Sequence, residues 1–363
     1  MKYLEEFRDP ELAKLLAKTI QRKAEKITQI KLMEVCGTHT MAIARYGIRK
    51  ILPSNIELIS GPGCPVCVTP NSYLDKAIAF ARLDGMIITT FGDMMRVPGS
   101  STSLEKERAV GCDIRIVYST IDALNIAKKN SDKKIIFLGV GFETTAPTIA
   151  ASLIKAREEN VQNYFVYCAH KTMPRPMEVI AGNPGVKING FICPAHVSTI
   201  IGSKPYEFLA EKYGKCCVIA GFEPLDILEA IDMLLNQFIN NGPAVEIQYS
   251  RVATVEGNPI ALKLMSEVFE ECTSDWRGIG TIPGSGLKLA QKYQAFDAER
   301  VFSVKVEPTK ENSACICGQV MQGISKPIDC ALFTTACTPE NPVGACMVSS
   351  EGSCAAWYKY ERS

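Results

Sequence analysis

Two cysteines flank a Pro-Val pair in the stretch Gly61-Pro62-Gly63-Cys64-Pro65-Val66-Cys67. So spaced, Cys64 and Cys67 either close a small disulfide ring or present two thiolates to one metal ion. Gly61 and Gly63 let the backbone turn sharply and approach whatever binds there. A second chemical cluster is Cys36-Gly37-Thr38-His39, where a soft thiol precedes an imidazole that ligates metal or orients a neighbour. The other two of the three histidines repeat this placement, as Cys168-Ala169-His170 and Cys193-Pro194-Ala195-His196. Gly141-Phe142-Glu143-Thr144-Thr145 adds a carboxylate and two hydroxyls as polar positioners. The structural alternative for each is a turn whose small thiols and satisfied histidines are there for packing.

The elements that must hold these groups are strands and helices in alternation. Apolar runs at 30–35, 56–59, 85–90 and 114–118 each precede a helical pattern, and runs at 134–139, 164–167, 190–193 and 217–220 repeat the series. The offset between matching strands is about 105 residues, which reads as a tandem duplication. Near-continuous apolar strands alternating with helices predict parallel sheets covered on both faces. The fold class expected is α/β, with two similar doubly wound parallel-sheet domains and a cysteine-rich C-terminal domain of irregular or helical structure. Boundaries fall at an N-terminal helical arm, 1–29, started by Asp9-Pro10-Glu11. Two α/β domains follow, 30–131 with Cys36, Cys64 and Cys67, and 132–240, and then the C-terminal domain, 241–363. In that last part Ile260 to Cys272 reads as one amphipathic helix and 278–286 as a glycine-rich structural loop. The site cysteines are placed at strand ends facing a cleft, with Cys36 exposed in it and the helix that follows Cys64 and Cys67 lowering their thiol pKa.

Composition narrows the function. A formal net charge of +1 gives no sign of a nucleic-acid or membrane surface, and no run is long enough to span a bilayer. The first residues lack the apolar core of a signal peptide, so a cytoplasmic protein is expected. Fifteen cysteines in that reducing compartment point to metal or redox chemistry rather than to disulfides. Six of them, Cys315, Cys317, Cys330, Cys337, Cys346 and Cys354, lie among Gly, Pro and Thr in a stretch too irregular to build its own core. A metal site staples such a segment. Paired C-x-x-C zinc knuckles are missing, and a [4Fe–4S] cluster tolerates irregular spacing, so the cluster is favoured over zinc.

The Cys36–His39 and Gly61–Cys67 motifs, Gly141–Thr145, Cys193–His196 and the cysteine-rich end together resemble HypD, over essentially the whole chain. That family helps to build the iron centre of [NiFe]-hydrogenases. The resemblance implies two α/β domains and a C-terminal [4Fe–4S] domain, with cluster ligands falling on Cys315, Cys330, Cys337 and Cys354 and leaving out Cys317 and Cys346. It implies a HypC-type partner, with which an iron ion is held while cyanide, delivered by a HypE-type donor, and CO are attached to give the Fe(CN)2CO precursor. Cys36, Cys64 and Cys67 would then be iron ligands or redox thiols, with His39 beside them and Glu143, Thr144, Thr145, His170 and His196 lining the cleft. The reading is of an assembly scaffold with redox activity. Two rivals stand beside it: a stand-alone cluster-linked thiol-disulfide oxidoreductase, and a metal-binding scaffold with no redox turnover.

Overall fold

The computed structural model describes residues 5–362, so the first four residues of the expected arm and the last residue of the C-terminal domain lie outside it. The arm itself forms a helix, Pro10–Ala24, whose first turn is capped by the Asp9 carboxylate accepting from the amides of Glu11 and Leu12. It lies against the helix Pro224–Ile239, to which Lys23 is tied through Asp232 at 2.5 Å.

All eight expected strands form. In chain order they are β1 (Ile30–Glu34), β2 (Ile56–Ser60), β3 (Met86–Thr90), β4 (Ile114–Ile116), β5 (Lys134–Gly139), β6 (Tyr164–Cys168), β7 (Gly190–Pro194) and β8 (Cys216–Ala220). A short β9 (Val245–Ile247) follows, then a hairpin of β10 (Phe269–Trp276) and β11 (Gly280–Leu289). The first nine pair only in parallel, in two sheets of order β2-β1-β7-β8-β9 and β4-β3-β5-β6. Helices cover the faces, as the apolar strands require; β3 and β8, for example, are buried along their whole length.

The sheets are therefore not the contiguous halves 30–131 and 132–240. The chain leaves the first sheet after β2, builds the whole of the second, and returns to the first at β7. There Leu32, Met33 and Glu34 of β1 pair with Gly190, Phe191 and Ile192. Counted within each sheet, the order is 2-1-3-4 in both, with β9 added as a fifth strand at the edge of the first, so the resemblance between units persists with one unit inserted into the other. Periodicity reveals that a segment is a buried strand but not which strand it hydrogen-bonds, and equal spacing matched β1 to β5 where topology matches it to β3.

Two elements of the C-terminal region also differ from expectation. The helix starting at Pro259 ends at Val268, because Phe269 is extended (φ −117°, ψ 153°) and opens β10. The glycine-rich stretch after Gly278 is a strand, not a loop: Gly286 lies opposite Cys272, and a Cβ there would sit 2.7 Å from the Ser274 Cβ. Glycine serves in it to let the partner strand close in. Among the described residues from Cys315 onward the helices are all short: Cys317–Met321, Pro327–Asp329, Ala345–Met347 and Ser353–Tyr360. The last packs against the helix Gly37–Arg45, fixed by Arg49, which pairs with Glu361 at 2.7 Å and covers the Trp357 ring. One buried apolar cluster joins both sheets to this segment, running from Met33 and Leu138 through Trp276 to Met347.

Candidate functional site: the Cys36 cavity and its cysteine neighbours

β1 and β7 are neighbours at the point where strand order reverses, the place where open α/β sheets leave a crevice beyond their strand ends. Cys36 stands there, at the N-cap of the helix Gly37–Arg45. The loop after β2 is locked onto it. The Gly61 amide donates to the Glu34 carbonyl at 2.8 Å and the Gly37 amide to the Gly63 carbonyl at 3.0 Å. A Cβ on Gly63 would overlap the backbone of Val35 and Cys36, which is the close approach that only glycine permits. The next residues form the short helix Pro65–Val68 with Cys64 and Cys67 joined in a disulfide, their Cα atoms 5.2 Å apart.

Cys36 lines a cavity of about 460 Å³. Its other walls are Thr38, Gly63 and Pro65, Phe142, Thr144 and Thr145 from beyond β5, Pro194 and His196 from the end of β7, and Glu351 from the C-terminal segment. The residue is only 7% exposed, less than the open cleft position expected. Burial pushes its thiol up to about 12, helped by the nearby Glu351 carboxylate and against the pull of the Thr38 and His39 amides. Desolvation thus outweighs the helix N-terminus. Gly63 and Pro65, on either side of Cys64, line the cavity, whereas Cys64 and Cys67 themselves do not.

All six C-terminal cysteines, Cys315, Cys317, Cys330, Cys337, Cys346 and Cys354, line a single small cavity whose other walls are apolar, among them Val320, Leu332, Phe333 and Met347. The Cys346 and Cys354 sulfurs are 3.2 Å apart, and Cys317 neighbours both Cys315 and Cys346. Among the described residues no three or more side chains stand in ready metal-binding positions. The donors themselves suit a soft metal or an iron–sulfur cluster, being sulfur alone with no carboxylate or imidazole in the lining. Cys315 and Cys317 both face this cavity, where an extended segment would have turned one away, because Cys317 begins a helix.

Residues 11–361 match the sequence profile of HypD, described as the hydrogenase formation hypA family. The chain belongs to the HypD family. It is 48% identical to hydrogenase maturation factor HypD2 of Bradyrhizobium diazoefficiens, over 100% of this chain and 97% of that protein. It is 47% identical to hydrogenase maturation factor HypD of Cupriavidus necator, over 100% and 98%. A putative hydrogenase expression/formation protein of Methanocaldococcus jannaschii is 48% identical over 98% of each chain.

Within this HypD-family chain the other expected site residues divide. Thr144, Thr145 and His196 reach the Cys36 cavity. Glu143 turns away from it: one carboxylate oxygen accepts from the Met173 amide at 2.9 Å, the other is buried without a partner, and the residue lines a neighbouring cavity of about 650 Å³. Burial raises its carboxyl to about 7. His39 is fully buried, and its Nε2 stands 3.0 Å from the carbonyls of both Ala220 and Gly221, so it ties the helix Gly37–Arg45 to the end of β8 rather than holding the Cys36 sulfur. Its Nδ1 is buried and unpartnered, and burial lowers the imidazole to about 4. Phe222 separates the His39 and His196 rings, at 5.0 and 4.1 Å between centroids. His170 belongs elsewhere, in a cavity of about 480 Å³ at the end of β6, with its Nδ1 3.1 Å from the Cys168 sulfur.

Sequence reasoning missed Glu351. It accepts from the Thr38 hydroxyl at 2.5 Å and backs directly on Gly37, whose missing side chain makes room for it. Its only local signal is its position in the cysteine-rich segment, between Cys346 and Cys354.

Proposed function

We propose that this chain is the scaffold on which a hydrogenase iron centre is assembled. An iron ion, as cargo, is held at Cys36 while cyanide from a HypE-type donor and CO are attached, with a HypC-type protein completing the site. The observation that carries this reading is a single buried thiol at the switch point of a parallel sheet, lining a cavity large enough for a small metal complex. Low-spin iron with strong-field carbon ligands suits a soft thiolate, and Val35, Phe142 and Pro194 give the cavity apolar walls beside it. Thr38, Thr144 and Thr145 offer hydroxyls, and His196 an imidazole, to orient ligands on the ion. The Cys36 proton must leave as the metal binds, which its raised pKa makes costly until a cation takes its place.

Four of the six C-terminal cysteines, Cys315, Cys330, Cys337 and Cys354, would hold a [4Fe–4S] cluster, and such a cluster supplies single electrons. The Cys64–Cys67 disulfide accepts two electrons and two protons to become two thiols, one loop away from Cys36. Burial of both cysteines, 5% and 2% exposed, speaks against a stand-alone oxidoreductase that must meet a protein disulfide at its surface. Iron analysis of anaerobically purified protein tests the central step. Cys36→Ala should lose the iron that exceeds cluster iron and retain the cluster itself; equal iron in variant and parent would contradict the assignment.

A further inference from the structure

Arg277 occupies the turn between β10 and β11, where no role was expected, and it is only 6% exposed. Its backbone amide donates to the Val68 carbonyl and its Nε to the Thr69 carbonyl, both at 2.9 Å. These two carbonyls end the short helix that carries Cys67. Its Nη2 is buried with no hydrogen-bond partner, and among the described residues no carboxylate pairs with the guanidinium. On its other side the turn is pressed onto the cysteine-rich segment. Gly278 (φ +72°) backs on Gly318, where a Cβ would stand 2.6 Å from the Gly278 Cα, and the Gln322 side-chain amide donates to the Gly278 carbonyl at 2.6 Å. Gly318 directly follows Cys317.

A buried cation with an unsatisfied donor and no counter-charge is costly, and native proteins rarely leave one without a compensating anion. A thiolate-ligated iron–sulfur cluster is such an anion. We propose that Arg277 is the charge partner of the cluster held by the C-terminal cysteines, and that by gripping Val68 and Thr69 it ties that centre to the disulfide segment. The inference rests on the cluster reading given above. When the cluster takes up one electron, no bond is made or broken and its negative charge rises by one. A fixed cation in a poorly solvated site stabilises the reduced form more than the oxidised form, and so raises the reduction potential.

The test is a potentiometric titration of anaerobically purified full-length protein, reading the visible thiolate-to-iron absorption together with iron and sulfide content. Arg277→Gln removes the charge and keeps a hydrogen-bonding group; Arg277→Lys keeps the charge. At a fixed solution potential, Arg277→Gln should show a reduced-to-oxidised ratio lower by about tenfold, equivalent to about 59 mV for one electron. Arg277→Lys should stay near the parent protein. An unmoved titration in Arg277→Gln, or an equal shift in both variants, would overturn the proposal. If Arg277→Gln cannot hold the cluster, retention decides: cluster kept by Arg277→Lys alone supports the charge role, and loss from both contradicts it. A parent protein with no cluster iron or sulfide would instead overturn the cluster reading, and this inference with it.

Discussion

Glu143 lines the cavity next to that of Cys36, with one oxygen on the Met173 amide and the other unpartnered, and burial lifts its carboxyl to about 7. In the unfolded chain the same group returns to the ordinary carboxylate range, near 4.3. Between those values the native state binds more protons than the unfolded one. The contribution to stability is therefore full below the unfolded pKa and lost as pH rises through about 7. Glu143→Gln cannot lose a proton, so urea denaturation at pH 5 and pH 8 should show the variant losing roughly 2 kcal/mol less stability across that interval than the parent. Equal losses would place the Glu143 carboxyl in water-accessible surroundings after all. At this scale Cys36 was legible as a candidate, because a thiol between an apolar strand and Gly-Thr-His has few bland explanations, and the structure sets it in a cavity wall. Of the imidazoles, His196 reaches the cavity as expected, whereas His39 spends its Nε2 on two carbonyls brought in by β8. Glu351, separated from Thr38 by most of the chain, was invisible to any local pattern.

Elements explain why the disulfide and Cys36 form one unit. The loop after β2 is pinned to the end of β1 by the Gly61 and Gly37 amides, and the ring Cys64–Cys67 hangs from that loop. Groups that act together are non-additive when removed. Cys64→Ser, Cys67→Ser and the double variant should lower hydrogenase maturation to the same degree, with Cys36 iron measured in parallel. Losses that simply add would give the two sulfurs independent roles. The strand–turn–helix order around these motifs was legible, since apolar runs and Gly-Pro punctuation carry it directly. The β10–β11 hairpin was not. A short apolar pattern fits helix and strand alike, and the need for glycine at 286 comes from the opposing strand rather than from a turn.

For the whole molecule, the interleaving of the two sheets brings the ends of β1, β5 and β7 to one cavity, and the C-terminal segment closes it with Glu351. The eight main strands could be read from hydrophobicity, but their distribution between sheets depends on long-range pairing that no periodicity records. The same holds for the cysteine-rich end, whose convergence on one cavity joins residues from five separate short segments. Substituting its cysteines one at a time with Ala should abolish the visible iron–sulfur absorption at Cys315, Cys330, Cys337 and Cys354, and lower stability with it, because cluster binding and local folding are coupled. Cys317→Ala and Cys346→Ala should remain coloured. Cys346, 3.2 Å from Cys354, is the strongest competitor, and a colourless Cys346 variant beside a coloured Cys354 variant would reverse that assignment. The central claim, that the Cys36 cavity carries iron with its carbon ligands, is tested most directly by infrared spectroscopy of the anaerobically isolated complex with its HypC-type partner. The account predicts absorption from iron-bound cyanide and CO that disappears in Cys36→Ala while the cluster absorption persists. Those bands surviving unchanged in Cys36→Ala, or missing from the parent complex, would contradict it.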